Sequence, residues 1–225
     1  MRKIIWQLFH KIFPVWLHRF ASYSQMGEDM VLRYFIEQQK KYKGFYVDVG
    51  AHHPFRFSNT AYFYKQGWRG INVEASPDLI AAFRRFRRRD INLNMAVGTF
   101  AQSLTFYIFN EQALNTFNKD IAITRPDKYK IIKTIEIPQV GLVDIFDKYL
   151  LPNQKIDFLS VDVEGLDLDV LKSNDWTKYI PQHILVESEI NLNYPQQNET
   201  YNYLAGLNYE LVAKTKQTLI FRMKT

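Results

Sequence analysis

One stretch constrains the chain more than any other: Gly44-Phe45-Tyr46-Val47-Asp48-Val49-Gly50-Ala51-His52-His53-Pro54. From Phe45 to Val49 it is an apolar, β-prone run broken only by Asp48, the pattern of a strand covered on both faces of a parallel sheet. An acid inside such a strand has to be hydrogen-bonded or functional, because an unpaired buried carboxylate is expensive. Gly50 follows directly and lets the backbone turn tightly and approach a ligand. Two readings fit: the first strand and ligand loop of a nucleotide-type α/β fold, or an ordinary strand and turn around one satisfied acid.

The later strands favour the first. Gly70-Ile71-Asn72-Val73-Glu74 ends on an acid 26 residues after Asp48, close to where dinucleotide-type folds place a ribose-binding acid. Ile156-Asp157-Phe158-Leu159-Ser160-Val161-Asp162-Val163-Glu164-Gly165 ends in acid-x-acid-Gly. Period-2 geometry puts Asp162 and Glu164 on one face. Adjacent buried acids repel, so the pair must be solvated, paired or share a proton. His183 to Glu187 is another strand with a terminal acid. Asp48, Glu74, Asp162, Glu164 and Glu187 thus gather along the common edge of the predicted parallel strands as one acidic crevice.

Between these strands the periodicity predicts helices. One follows Ser24, with Glu28 and Asp29 in its first turn, and closes at Lys40 to Lys43. Others begin at Ser58-Asn59-Thr60, run from Leu79 to Arg88 behind Ser76-Pro77-Asp78, and cover Gly141 to Leu150, Leu166 to Ser173 and Asn198 to Ala205. Ile91 to Val97 reads as the third strand, and Leu104 to Phe109 with Ile131 to Val140 as a β-excursion that could wall or lid a site. Tyr209 to Lys214 and Thr218 to Arg222 close the chain as strands.

Charge bears on partners. The net charge is +6, but Arg2, Lys3, Lys11 and Arg19 carry part of it, and Arg84, Arg85, Arg87, Arg88 and Arg89 carry more. The rest of the chain is mildly acidic, so the basic balance implies no general affinity for nucleic acid. The arginine row reads first as a solvated helix end that complements the helix dipole. Residues 2–20 read as an amphipathic helix interrupted at Pro14, suited to packing on the domain or to lying on an anionic membrane, and too interrupted to span one. With no cysteine there is no disulfide framework, thiolate zinc site or cysteine nucleophile. The organisation is a helical extension over 1–21 and one domain over 22–225.

These segments together resemble the FkbM-type S-adenosylmethionine-dependent methyltransferases. The resemblance rests on Ser24-Gln25-Met26-Gly27-Glu28-Asp29, Val47-Asp48-Val49-Gly50-Ala51, Ser58-Asn59-Thr60, Gly67 to Glu74, Asn94-Met95-Ala96-Val97 and Asp162-Val163-Glu164-Gly165, in that order. It implies an α/β, Rossmann-like class I methyltransferase fold. The sheet would be mostly parallel and seven-stranded, with helices on both faces and a final hairpin that inserts an antiparallel strand. The stretch after Asp48 lacks the second and third glycines of the dinucleotide fingerprint, which argues for a cofactor without phosphates.

The resemblance further implies methyl transfer, most often to a hydroxyl of a sugar or related small molecule. Gln25, Glu28, Asp48, Gly50, Ala51, Glu74, Ala75, Asn94 and Asp162 would serve S-adenosylmethionine, with Glu74 on the ribose and Asn94 near the adenine. His52, Ser58, Asn59, Thr60, Thr116 and Glu187 would meet the acceptor. Asp162 is the first choice of base, ahead of Glu164 and His53. Asp162, Glu164 and Glu187 could instead gather Mg²⁺, though the spacing does not require a metal. RNA methylation guided by the arginine row, and a non-catalytic membrane-associated binding protein, are the alternatives. The expected setting is cytoplasmic, at or near the inner face of a membrane through residues 1–20, with a small-molecule or glycan acceptor and no nucleic acid.

Overall fold

The computed structural model describes residues 20–36, 42–100 and 102–224. Residues 2–19 of the predicted N-terminal helix, and residues 40 and 41 of the stretch that would close the following one, lie outside them. Seven strands form the central sheet: β1 (Phe45–Val49), β2 (Arg69–Val73), β3 (Ile91–Leu93), β7 (Phe158–Val161), β8 (His183–Glu187), β9 (Tyr209–Lys214) and β10 (Thr218–Met223). Their order is β3-β2-β1-β7-β8-β10-β9. β1 runs parallel to β2 and β7, and β8 parallel to β7, whereas β10 is antiparallel to both β8 and β9. The strand order reverses beside β1, the place where open α/β sheets leave a crevice at the carboxyl ends of their strands.

Alternation along β1 sends its residues to two cores. Val47 and Val49 join Ile71, Val73, Leu159 and Val161 on one face, packed against α5 (Leu142–Tyr149), α6 (Asp167–Lys172) and α7 (Glu199–Gly206). Tyr46 points the other way, to Phe63, Trp68 and Phe158 beneath α1 (Glu28–Ile36) and α2 (Ala61–Lys65). Asp48 shares the face of Tyr46. Helix α3 (Pro77–Phe86) packs Ile80 and Phe83 beside Ala51. Among the described residues no helix is long and apolar enough to cross a membrane.

Two expectations need correction. The predicted third strand splits after Leu93, and β4 (Ala96–Val97) joins β5 (Ser103–Phe109) and β6 (Ile131–Val140) in a separate three-stranded sheet, order β4-β6-β5. The break has a cause: the Asn94 amide donates to the carbonyls of Glu74 and Ala75, at 2.9 and 2.7 Å, in place of continuing the ladder. The second correction concerns Arg87, expected in a solvated row but wholly buried. Its guanidinium donates to Asp90 (3.1 Å), the Pro54 carbonyl (3.0 Å), Thr60 (2.6 Å) and Tyr46 (3.2 Å).

The excursion consists of the β5–β6 hairpin, a 3₁₀ turn (Gln112–Leu114) and α4 (Lys119–Thr124). An isolated bridge between Tyr107 and Thr116 folds the turn back over the sheet edge.

Candidate active site

A cavity of about 330 Å³ opens at the carboxyl ends of β1, β2 and β7, walled on its far side by the excursion. It is within the usual size of a small-molecule site. Gly50 turns β1 away at φ +77, and a Cβ there would come within 1.8 Å of the Asp162 carbonyl oxygen. Only glycine lets the ends of β1 and β7 approach so closely. Among the described residues five non-glycine positions have positive φ: His52, Phe57, Asn153, Glu164 and Asn208. Two are asparagines, which tolerate this region, but His52, Phe57 and Glu164 all line the cavity. The strain, of order 1–3 kcal/mol per residue, is therefore concentrated at the site.

Glu74 sits buried at the end of β2 with both carboxylate oxygens held, accepting from the His52 N–H at 2.8 Å and the Ser76 N–H at 2.7 Å. Burial nevertheless pushes its pKa up to about 7. Asp48 accepts from the Thr60 hydroxyl at 2.9 Å, and burial raises it to about 6. His52 is held the other way, lowered to about 4 by burial and by Arg56, so its imidazole is neutral at physiological pH. Its Nε2 is buried, with no hydrogen-bond partner among the described residues.

Asp162, Glu164 and Glu187 converge, each offering a carboxylate oxygen within 4.8 Å of the others. The expected strand end is corrected: β7 stops at Val161, and Asp162 and Glu164 lie in the loop beyond it with Glu164 at φ +56, so the loop rather than period-2 alternation brings them together. Asp162 lies deep among protein atoms, yet its side chain faces the open cavity and is exposed there. Its pKa is raised well above the ordinary range by burial and by the nearby charge of Glu187. Glu164 is raised by burial and Glu187, against the opposing pull of Arg125, which donates to it at 3.2 Å. Glu187 also accepts from the Gln217 amide at 3.2 Å. Such a trio either keeps a proton or gathers a hard cation.

Of the residues singled out in the sequence, Gln25, Asp48, Gly50, Ala51, His52, Asn59, Glu74, Ala75, Thr116, Asp162, Glu164 and Glu187 line the cavity. The other five do not, and each is engaged in shaping the chain. Glu28 accepts from Thr215 at 2.6 Å and from the Met26 N–H at 2.9 Å, tying the loop before α1 to the final hairpin. His53 Nδ1 accepts from the N–H groups of Phe55 and Arg56, at 3.1 and 3.0 Å, and caps its own turn. Ser58 accepts from the Ala61 N–H at the start of α2, Thr60 links Asp48 to Arg87, and Asn94 holds the end of β2.

The excursion walls the cavity as expected, with Phe106, Phe117 and Arg125 in its lining, but the sequence reading named none of these three as site residues, nor Phe57 or Met95. Arg125 is the sole Lys or Arg in the lining, against five carboxylates. Its one local signal was Pro126, which forces the preceding residue out of the helical region. Arg125 is accordingly extended (φ −63, ψ 143), ending α4 as it reaches the cavity.

A six-strand parallel core with one inserted antiparallel strand, and a cavity over the switch point by β1, define a class I methyltransferase fold. Residues 48–211 match the methyltransferase FkbM domain, and the chain belongs to that family. No curated protein matches the chain. Solved structures do, among them one described as "Crystal structure of a putative O-methyltransferase from Klebsiella pneumoniae", at 8% identity and TM-score 0.44, covering 92% of this chain and 83% of that one.

Proposed function

We propose that this methyltransferase uses S-adenosylmethionine and methylates a hydroxyl of a sugar or related small molecule. The observation that carries the reading is the donor set of the cavity: five carboxylates, a neutral histidine and a single arginine. A pyrophosphate cofactor would meet repulsion from such a lining. A cofactor with a sulfonium, an ammonium and ribose hydroxyls brings the positive charge and donors that these acceptors lack. Bound S-adenosylmethionine would supply an electrophilic methyl carbon.

In this reading Glu74 accepts from the ribose hydroxyls, and the lone pairs that its two backbone donors leave free support that role. Met95, Phe106 and Phe117 offer an apolar wall for a base. Asp162 takes the proton from the acceptor hydroxyl. Burial and the neighbouring acids raise its proton affinity, which makes its carboxylate a stronger base, and general-base catalysis contributes roughly 10²–10⁴-fold. Glu164 and Glu187 hold the acceptor and keep Asp162 basic by repulsion. RNA is disfavoured as acceptor because a polyanion would have to enter an acidic cavity.

Calorimetric titration with S-adenosylmethionine and its demethylated product tests the cofactor. Binding is expected, weakened roughly 10–100-fold in Glu74→Gln, the usual worth of hydrogen bonds to a charged group. No heat and no thermal stabilisation with either compound would sink the reading. A second reading, Mg²⁺ held by Asp162, Glu164 and Glu187, is favoured by their convergence. Labelled-methyl transfer with and without a chelator separates the two, since proton removal by Asp162 alone survives chelation.

A further inference from the structure

The face beside the cavity rim carries a feature that the proposed chemistry leaves unused. Phe55, Phe57 and Phe86 are 37%, 41% and 49% exposed. They come from two elements, the turn after Pro54 and the end of α3. The rings of Phe55 and Phe86 meet edge to face at 5.9 Å. The Arg85 guanidinium lies 5.2 Å from the Phe86 ring, and that of Arg56 lies 4.5 Å from the Phe57 ring. Arg84, Arg88 and Arg89 are also exposed and extend the positive charge around the helix end. Arg56 meets Glu111 at 3.4 Å, but among the described residues no carboxylate pairs with Arg84, Arg85, Arg88 or Arg89. Buried Arg87 bonds the Pro54 carbonyl from beneath, so turn and helix form one fixed surface.

We infer that this face docks on an anionic lipid surface, the arginines meeting lipid phosphates while the phenylalanine rings enter the headgroup region. Exposed aromatic rings flanked by arginines, four of which have no carboxylate partner among the described residues, match what such an interface offers, attraction for the charges and burial for the rings. RNA would meet the same arginines and could stack on the same rings. The face, however, leads over Phe57 directly into a cavity lined by five carboxylates, which repels a strand threading inward, whereas a bilayer stays outside. Docking sets the cavity rim against the membrane. If the hydroxyl-acceptor reading holds, on which this one consequence rests, the acceptor is then one presented on a lipid.

Flotation of the full chain with phosphatidylcholine vesicles, and with mixed phosphatidylcholine–phosphatidylglycerol vesicles, tests the inference. Two variants accompany it: Arg84→Gln with Arg85→Gln and Arg88→Gln, and Phe55→Ser with Phe86→Ser. None of these residues lines the cavity, so an unchanged melting temperature and cofactor titration certify the fold. Binding to the mixed vesicles alone is expected, weakened by salt and falling about tenfold or more in each variant. Equal binding to neutral vesicles, unchanged binding by both variants, or tighter binding of a short single-stranded RNA than of the mixed vesicles would each overturn it. Failure of the cofactor titration in the wild type speaks against the proposed function and leaves the vesicle result standing.

Discussion

Under β1, carboxylates are surrounded by donors; at the end of β7, they face one another. Asp90 accepts from Tyr46 (2.6 Å), the Gly70 N–H (3.1 Å), Asn72 (3.0 Å) and Arg87 (3.1 Å). Arg87 also reaches Thr60, which donates in turn to Asp48. Both the cation and Asp90 are fully buried in their side chains, and their charges and lone pairs are matched inside the protein. Asp162, Glu164 and Glu187 crowd one another at the cavity, yet among the described residues their side-chain donors are Arg125 and Gln217 alone. Charge satisfied by donors holds strands, a turn and a helix end together. Charge left short of donors raises the proton affinity of Asp162 and Glu164 beside the cavity, and that is where chemistry can occur.

The sharpest test removes one charge from the second group. Asp162→Asn should lower kcat by roughly 10²–10⁴, read by labelled-methyl transfer once an acceptor is in hand. Denaturant unfolding should show stability unchanged or increased, because the substitution relieves repulsion from Glu187. A protein that loses its fold instead would place Asp162 with Asp90, among the structural acids.

The opposite outcome is expected on the other side. Arg87→Met leaves Asp90 buried without its cation, and breaking a buried pair in this way costs about 3–5 kcal/mol. Urea unfolding at constant m-value measures it. A loss below about 1 kcal/mol would mean that the hydroxyls and amides alone satisfy Asp90, and the contrast between the two groups would weaken.

How far the sequence discloses each group follows from the same distinction. Apolar runs ending in acids disclosed the sheet and the acidic crevice at its edge, but Asp162 and Glu164 meet through the loop after Val161, not through the strand alternation expected of them. What it could not disclose is donor count. Glu28, His53, Ser58, Thr60 and Asn94 look like ligand contacts as residue types, but their partners are groups of the protein's own chain that become neighbours only after folding. Arg125 arrives from the excursion, whose path over the cavity is set by the β5–β6 hairpin and not by local pattern. Arg87 was hidden among four exposed arginines, although it lies four residues after Phe83 and seven after Ile80, on the helix's core-facing stripe. That spacing was readable.

Glu74 stands between the two groups and gives the smallest effect. It has two backbone donors, as a structural acid would, yet burial still raises it from an ordinary 4.5 to about 7. A carboxyl whose folded pKa exceeds its unfolded value stabilises the fold fully below the unfolded pKa, and loses that contribution as pH rises through the folded one. Stability attributable to Glu74 should therefore be present near pH 4.5 and gone above about pH 7. His52, lowered from 6.5 to about 4, works in the opposite sense over the same window, losing stability as pH falls. Because both proteins carry His52, its contribution cancels when wild type is compared with Glu74→Gln. Between about pH 8 and about pH 5, the wild type should gain on the variant by about 2 kcal/mol in unfolding free energy. A difference that does not vary with pH would mean that the His52 and Ser76 N–H groups outweigh burial and keep Glu74 ionised throughout. Glu74 would then belong with Asp90 as a fully satisfied acid, and the boundary between the two groups would pass between β2 and β7.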